Sequence, residues 1–291
     1  MLLLNASGCL DALTAPEVVL QLDAFVTKTV TPLPRPGNAP ARIAETEFGM
    51  LNSIGLANPG RERFLAETLP RLRKLGLPLW VSVGGFAARD YMETCERLEG
   101  VTIELNLSCP NVDEAPESAA EIVAACRGAT NLPIYAKLSP ASWDIGEVAR
   151  AVEAAGADGL SLVNTIRGLA LDRRTLRPIL GTATGGYSGP ALRPIALAAV
   201  YACRRVSDLP IVGMGGVTTG RGALELVAAG ASAVALGTVL FADPGAPARV
   251  RTELEAAIER LGLDSVDAVR GLAHGGGGVS GERVLAGPAP K

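Results

Sequence analysis

Eight short apolar runs punctuate the chain, and their alternation with longer helix-like segments limits its architecture more than any other feature. The runs cover residues 2–4, 24–26, 79–83, 101–105, 134–136, 159–163, 209–212 and 233–236. Each is rich in Val, Ile, Leu or Ala and ends on small or polar residues, as a parallel strand buried on both faces does. Between them, residues 147–155, 223–229 and 249–261 carry apolar side chains at helical spacing, and helices stop at Gly76, Gly156 and Gly230. The closest spacing, a run at 211–214, a helix at 220–230 and a run at 233–236, is one βαβ unit. Eight units favour closure over an open sheet. The predicted fold is α/β, a single (β/α)8 TIM barrel.

Two connections are long, 27–78 and 164–210, so the barrel is expected to carry long loops after strands 2 and 6. The first holds Pro32, Pro34, Pro36, Gly37 and Pro40; the second holds Gly185-Gly186-Tyr187-Ser188-Gly189. Long loops in a compact domain usually carry function. Residues 1–272 read as the barrel, and 273–291, with four consecutive glycines and two late prolines, as a flexible tail.

Composition narrows the function. Hydrophobic residues make up 48% and aromatic ones 4%, which predicts an aliphatic core. A net charge of −3 without a basic stripe argues against nucleic acid. No apolar stretch is long enough to span a membrane, and the N-terminus lacks a signal-peptide pattern, so a cytoplasmic protein is expected. Cys9, Cys95, Cys109, Cys126 and Cys203 are scattered without a C-x-x-C pair, so no metal site is expected. Cys9, Cys95, Cys126 and Cys203 read as packing residues.

In such a barrel the active site lies at the C-terminal ends of the strands. There the sequence places Asn5-Ala6-Ser7-Gly8, Thr27-Lys28-Thr29, Asn106-Leu107-Ser108-Cys109-Pro110-Asn111, Lys137, Asn164-Thr165, Gly215-Gly216 and Gly237-Thr238. The two glycine pairs follow strands 7 and 8, where barrels often bind phosphate; tight turns are the other reading. Asn52, Asn106, Asn111 and Asn164 each offer a donor and an acceptor, which suits a small planar ring with N–H and C=O groups, and Lys28 suits its negative charge; any one of these Asn taken alone reads as a turn residue. A thiol such as Cys109 can act as a base near neutral pH, or be a bystander. His274, the only histidine, offers no catalytic case.

These residues, in this order, resemble the class 1 dihydroorotate dehydrogenases. The resemblance runs from Asn5 to about Pro244 and rests on Asn106-Leu-Ser-Cys-Pro-Asn111, Asn52-Ser-Ile-Gly-Leu56 and Thr184-Gly-Gly-Tyr-Ser-Gly-Pro190, supported by Ile211-Val-Gly-Met-Gly-Gly216 and Ala235-Leu-Gly-Thr238. It implies FMN at the barrel mouth, its phosphate on Gly215, Gly216, Gly237 and Thr238. Ser7, Lys28, Thr29, Asn106, Lys137, Val163 and Gly189 match positions lining the flavin. Lys28, Asn52, Ser53, Ile54, Gly55, Leu56, Asn106, Asn111, Asn164 and Thr165 match positions holding dihydroorotate or orotate. Cys109 matches the base that removes the C5 proton while C6 gives hydride to the flavin, and Lys137 matches a cation stabilising the reduced ring.

The stretch 171–180, with Gly213-Met214, looks most like the NAD-linked (1B) subclass. That resemblance implies a homodimer working with a separate subunit carrying FAD and an iron–sulfur cluster, in pyrimidine biosynthesis. The alternatives are a fumarate-linked homodimer, an FMN oxidoreductase acting on another cyclic amide, and a flavin-binding subunit without turnover. Two departures from the family stand out: the loop after Asn111-Val112 is short, and Ser82 stands where relatives often carry Asn.

Overall fold

The computed structural model describes residues 1–107, 119–142 and 144–275. Twelve strands are formed among them: β1 (Leu2–Asn5), β2 (Phe25–Val26), β3 (Ile43–Thr46), β4 (Gly49–Asn52), β5 (Leu79–Val83), β6 (Thr102–Asn106), β7 (Ile134–Leu138), β8 (Gly159–Leu162), β9 (Ile166–Leu169), β10 (Thr184–Ser188), β11 (Ile211–Met214) and β12 (Ala233–Leu236). Eight of them form one parallel sheet in the order β1-β12-β11-β8-β7-β6-β5-β2. These are the eight apolar runs, with ends moved by one or two residues. The fold is the (β/α)8 barrel that the alternation predicts.

The seam between β1 and β2 closes the barrel by unusual means. A single parallel bridge joins Leu4 to Ala24. The Asp23 N–H also donates to Leu3 O at 2.9 Å, and side chains supply the rest. Asn5 Nδ2 donates to Val26 O at 2.8 Å, and Asn5 Oδ1 accepts from Val26 N at 2.9 Å. Asp23 Oδ2 accepts from Leu3 N at 2.7 Å and from Arg251 at 3.1 Å. The carboxamide of Asn5 thus stands in for a peptide group where the two-residue strand β2 is too short to continue the ladder.

Alternation along each strand divides the interior. Val81, Ile103, Leu105, Ile134, Ala136, Leu160, Ile211 and Val234 face outward into the main core, against helices such as Ala119–Ala129 and Gly220–Ala228. Leu4, Ala24, Val26, Trp80, Val212, Met214, Ala233 and Ala235 form a second, inner cluster with Tyr135. Few as the aromatics are, two of them fill this lumen: the Trp80 and Tyr135 rings lie 4.4 Å apart. Gly159 makes room for them, since a Cβ there would come within 2.2 Å of the Tyr135 ring. Beside this plug lie the buried polar residues Ser82, Glu104, Lys137 and Ser161.

The two long connections hold a feature that periodicity does not reveal. β3, β4, β10 and β9 form a four-stranded antiparallel sheet, in that order, with β4 from the first connection paired to β10 from the second. Gly185 belongs there because a Cβ would meet Asn52 O at 2.5 Å. At the far end of the described chain, Leu272–His274 forms a 3₁₀ turn on which the His274 ring stacks against Tyr201, centroids 4.2 Å apart. No helix among the described residues is long and apolar enough to cross a membrane.

Candidate active site

A cavity of about 450 Å³ opens at the C-terminal ends of the barrel strands. That volume lies within the roughly 300–1,000 Å³ typical of small-molecule sites. Its walls come from the loops after β1 (Ser7, Cys9), β2 (Lys28, Thr29), β8 (Asn164, Thr165), β11 (Gly215, Gly216) and β12 (Gly237, Thr238). Asn106 and Lys137, at the ends of β6 and β7, also line it. The four-stranded sheet contributes Ile43, Met50, Asn52 and Ser188. One hydrogen bond ties sheet to barrel: Thr238 Oγ1 donates to Ser188 Oγ at 2.8 Å.

The polar side chains hold one another in fixed orientations. Asn106 Nδ2 donates to Thr29 Oγ1 at 3.2 Å, and Asn106 Oδ1 accepts from Asn164 Nδ2 at 3.1 Å. Thr29 in turn meets Ser82 Oγ at 3.0 Å, and Asn164 Oδ1 accepts from the backbone of Thr165 at 2.8 Å. Lys137 is buried, and its Nζ lies 3.3 Å from Glu104 Oε1. Lys28 is exposed. Burial pushes the Cys9 thiol up, against the opposing pull of the Lys137 and Lys28 ammonium groups.

The glycines at the mouth differ in why they are glycine. Gly216 has φ +71° and a Cβ would strike the Arg193 backbone at 2.7 Å, so the fold alone demands it. Gly215, at φ +121°, packs against Ala196 in the same way. Gly237 differs. Its φ is ordinary, and a Cβ would make only van der Waals contacts with Ala6 at 3.6 Å and Cys9 at 3.7 Å, both cavity-lining residues. The protein itself could accept a methyl group there. A bare backbone beside the cavity is what close approach of a ligand oxygen to an N–H group requires.

Of the residues singled out in the sequence, Ser7, Lys28, Thr29, Asn52, Ile54, Gly55, Leu56, Asn106, Lys137, Val163, Asn164, Thr165, Gly189, Gly215, Gly216, Gly237 and Thr238 meet at this cavity. Ser53 does not. It is buried, and its hydroxyl bonds to Asn38 Nδ2 at 2.9 Å and to Thr182, joining the two long connections. Cys109 and Asn111 lie outside the described residues. Ser82 lies beneath Thr29 rather than on the wall. Cys9, read from sequence as a packing residue, lines the cavity. Glu104 escaped sequence reading altogether, although a carboxylate between Ile103 and Leu105 in a buried strand was a visible signal.

Comparison with known proteins gives a consistent picture. Residues 2–258 match the family model described as dihydroorotate dehydrogenase. The chain is 44% identical over 261 residues to the dihydroorotate dehydrogenase B (NAD(+)) catalytic subunit of Listeria welshimeri, covering 86% of each chain. It is 44% identical over 268 residues to the catalytic subunit of the same name from Desulforudis audaxviator, covering 88% of this chain and 87% of that one. With that of Latilactobacillus sakei the identity is 49% over 236 residues, 77% of each chain. Among solved structures, a crystal structure of DHODH from Eimeria tenella in complex with ferulenol superposes with a TM-score of 0.80 at 23% identity, covering 94% of this chain and 85% of that one.

Proposed function

The chain belongs to the dihydroorotate dehydrogenase family, and on that premise we propose that it oxidises (S)-dihydroorotate to orotate at the barrel mouth with FMN as its cofactor. The observation that carries this reading is the convergence of Lys28, Asn52, Asn106, Lys137 and Asn164 with a bare-backbone glycine on one cavity. FMN fits the residues present: Gly215, Gly216, Gly237 and Thr238 would hold its phosphate, and Ser7, Thr29, Asn106, Lys137, Val163 and Gly189 its ring system. When bound, FMN supplies a two-electron acceptor for the hydride leaving C6 of the substrate.

The protein's own groups do the rest. Cys109, as thiolate, takes the C5 proton, so that a C=C bond replaces two C–H bonds. Lys28 offsets the substrate carboxylate. Asn52, Asn106, Asn111 and Asn164 bond its ring amides, and the cross-bonded Asn106–Asn164 pair is oriented before substrate arrives. Lys137 carries a fixed positive charge beside the cavity, where it offsets the negative charge arriving with the electron pair.

Electrons then leave for NAD⁺ through a partner subunit carrying FAD and an iron–sulfur cluster. The names of the relatives, catalytic subunits of NAD(+)-linked enzymes, support NAD⁺ and a partner subunit; the FAD and the iron–sulfur cluster are what the family resemblance implies. The test is the visible spectrum of the purified chain before and after anaerobic dihydroorotate. A yellow protein whose band bleaches is the expected result. A protein without flavin, or a yellow one that dihydroorotate leaves unchanged, refutes the assignment.

A further inference from the structure

Glu104 and Lys137 are the only charged residues buried inside the fold among those described. Their side chains are 1% and 7% exposed, 3.3 Å apart. A buried pair of this kind gains little for stability, because desolvating both charges offsets most of their attraction. Its place in the barrel suggests another use. In the strand register Lys137 stands level with Asn106, at the mouth, whereas Glu104 stands level with Tyr135, one layer deeper. The carboxylate therefore lies on the floor side of the ammonium group and the cavity on the other. Glu104 does not line the cavity, and Lys137 does.

Resting on the function proposed above, we infer that Glu104 is a positioning residue that holds Lys137 protonated and aimed at the cofactor while the cavity carries no compensating negative charge. An ammonium group buried alone favours its neutral form, because burial penalises the charge. With Glu104 beneath it, the charge is present before the electron pair arrives, so no proton need enter the lumen during the reaction. The other titratable groups around the pair are Cys9 from the loop after β1, whose thiol feels Lys137, Lys28 and Glu104, Lys28 itself, and Tyr135 on β7.

The experiment is the midpoint potential of the bound flavin against pH, from 6 to 9, in the wild type, in Glu104→Gln and in Glu104→Gln/Lys137→Met. Gln keeps the shape and an acceptor but removes the charge. In Glu104→Gln alone, reduction should draw one extra proton onto Lys137 as pH rises. One proton per two electrons steepens the dependence by about 30 mV per pH unit. The double variant should lose that increment. An unchanged slope in Glu104→Gln, or an increment surviving in the double variant, overturns the inference. If Glu104→Gln takes up no flavin, the double variant decides: uptake restored by Lys137→Met supports the coupling, and uptake still absent makes Glu104 a fold residue only. A wild-type chain that holds no flavin would sink the underlying function reading as well. Normal wild-type bleaching with an unchanged slope sinks only this inference.

Discussion

Replacing Asn5 with Ala should open the barrel at its seam. Asn5 is wholly buried, and its carboxamide satisfies both the N–H and the C=O of Val26, itself 2% exposed. The substitution leaves two buried backbone groups without partners. At about 1–3 kcal/mol for each orphaned group, the loss is roughly 2–6 kcal/mol, a large part of the ~5–15 kcal/mol typical of a folded domain. For a chain of this size each kcal/mol corresponds to about 2 °C in Tm, so melting should fall by roughly 4–12 °C. Urea unfolding of the flavin-free protein reads the effect without cofactor linkage. Asn5→Asp is the informative companion, because it retains the acceptor for Val26 N, loses the donor and buries a charge. It should be no more stable than the Ala variant. A loss below about 0.5 kcal/mol for Asn5→Ala would show that water or a shifted backbone satisfies Val26, and that the side chain does not close the barrel.

Two further outcomes follow from the structure. Gly237→Ala should leave thermal stability of the flavin-free chain nearly unchanged, since the new methyl meets only ordinary contacts, yet weaken FMN binding about 10- to 100-fold, the ~1.4–3 kcal/mol expected when a ligand anion loses a charge-assisted bond; equilibrium titration with FMN checks this, and equal affinity would remove Gly237 from the cradle. Glu253→Gln should destabilise the chain at neutral pH by about 1 kcal/mol or less, the group being partly exposed. The Gly220 N–H, at 2.7 Å, and then Arg249 hold the Glu253 carboxyl below its ordinary value of 4.5. Stability gained from a lowered carboxylate is present above the unfolded value and lost as pH falls through the folded one. Urea midpoints of the two proteins should therefore converge on acidification below pH ~4, and a constant gap would contradict the argument.

The barrel was legible because its strands are buried on both faces, which leaves continuous apolar runs that sequence shows directly. The four-stranded sheet was not, for a physical reason. Its central pairing runs across the chain, Asn52 with Gly186, and depends on that remote partner rather than on local pattern. Its buried face is small, Ala44 and Leu51 packed with Leu180, and Ile43 and Leu169 are exposed, so the strands carry no long apolar run. At the site, polar residues ending apolar runs gave the positions, because barrel geometry sends strand ends to one mouth. Ser53 is one of the Asn52–Leu56 positions that the family resemblance supplies, but successive residues of an extended chain point to opposite sides, and its hydroxyl turns to Asn38 and Thr182. Glu104 is not marked by a strand end, because it lies within β6 and faces inward.

The distribution of polar groups in the lumen indicates which parts of the site must be rigid. The buried charges sit on strands: Glu104 on β6 and Lys137 on β7 are held by the barrel ladder itself. Hydrogen-bonding amides sit at strand ends or just beyond, where Asn106 and Asn164 fix each other. The flexible-looking long connections are stiffened where they reach the cavity, by the β4–β10 pairing and by the bond from Thr238 to Ser188. A group that must hold a charge within an ångström or so gains most from the stiffest element, because electrostatic stabilisation depends on donors that do not reorganise during reaction. Substrate must still enter and leave, which demands that some wall be able to move. The ionic layer sits on the barrel strands, whereas the cavity-lining Lys28 and Asn52 belong to the long connection after β2, so that movement of this connection leaves the charge beneath it fixed.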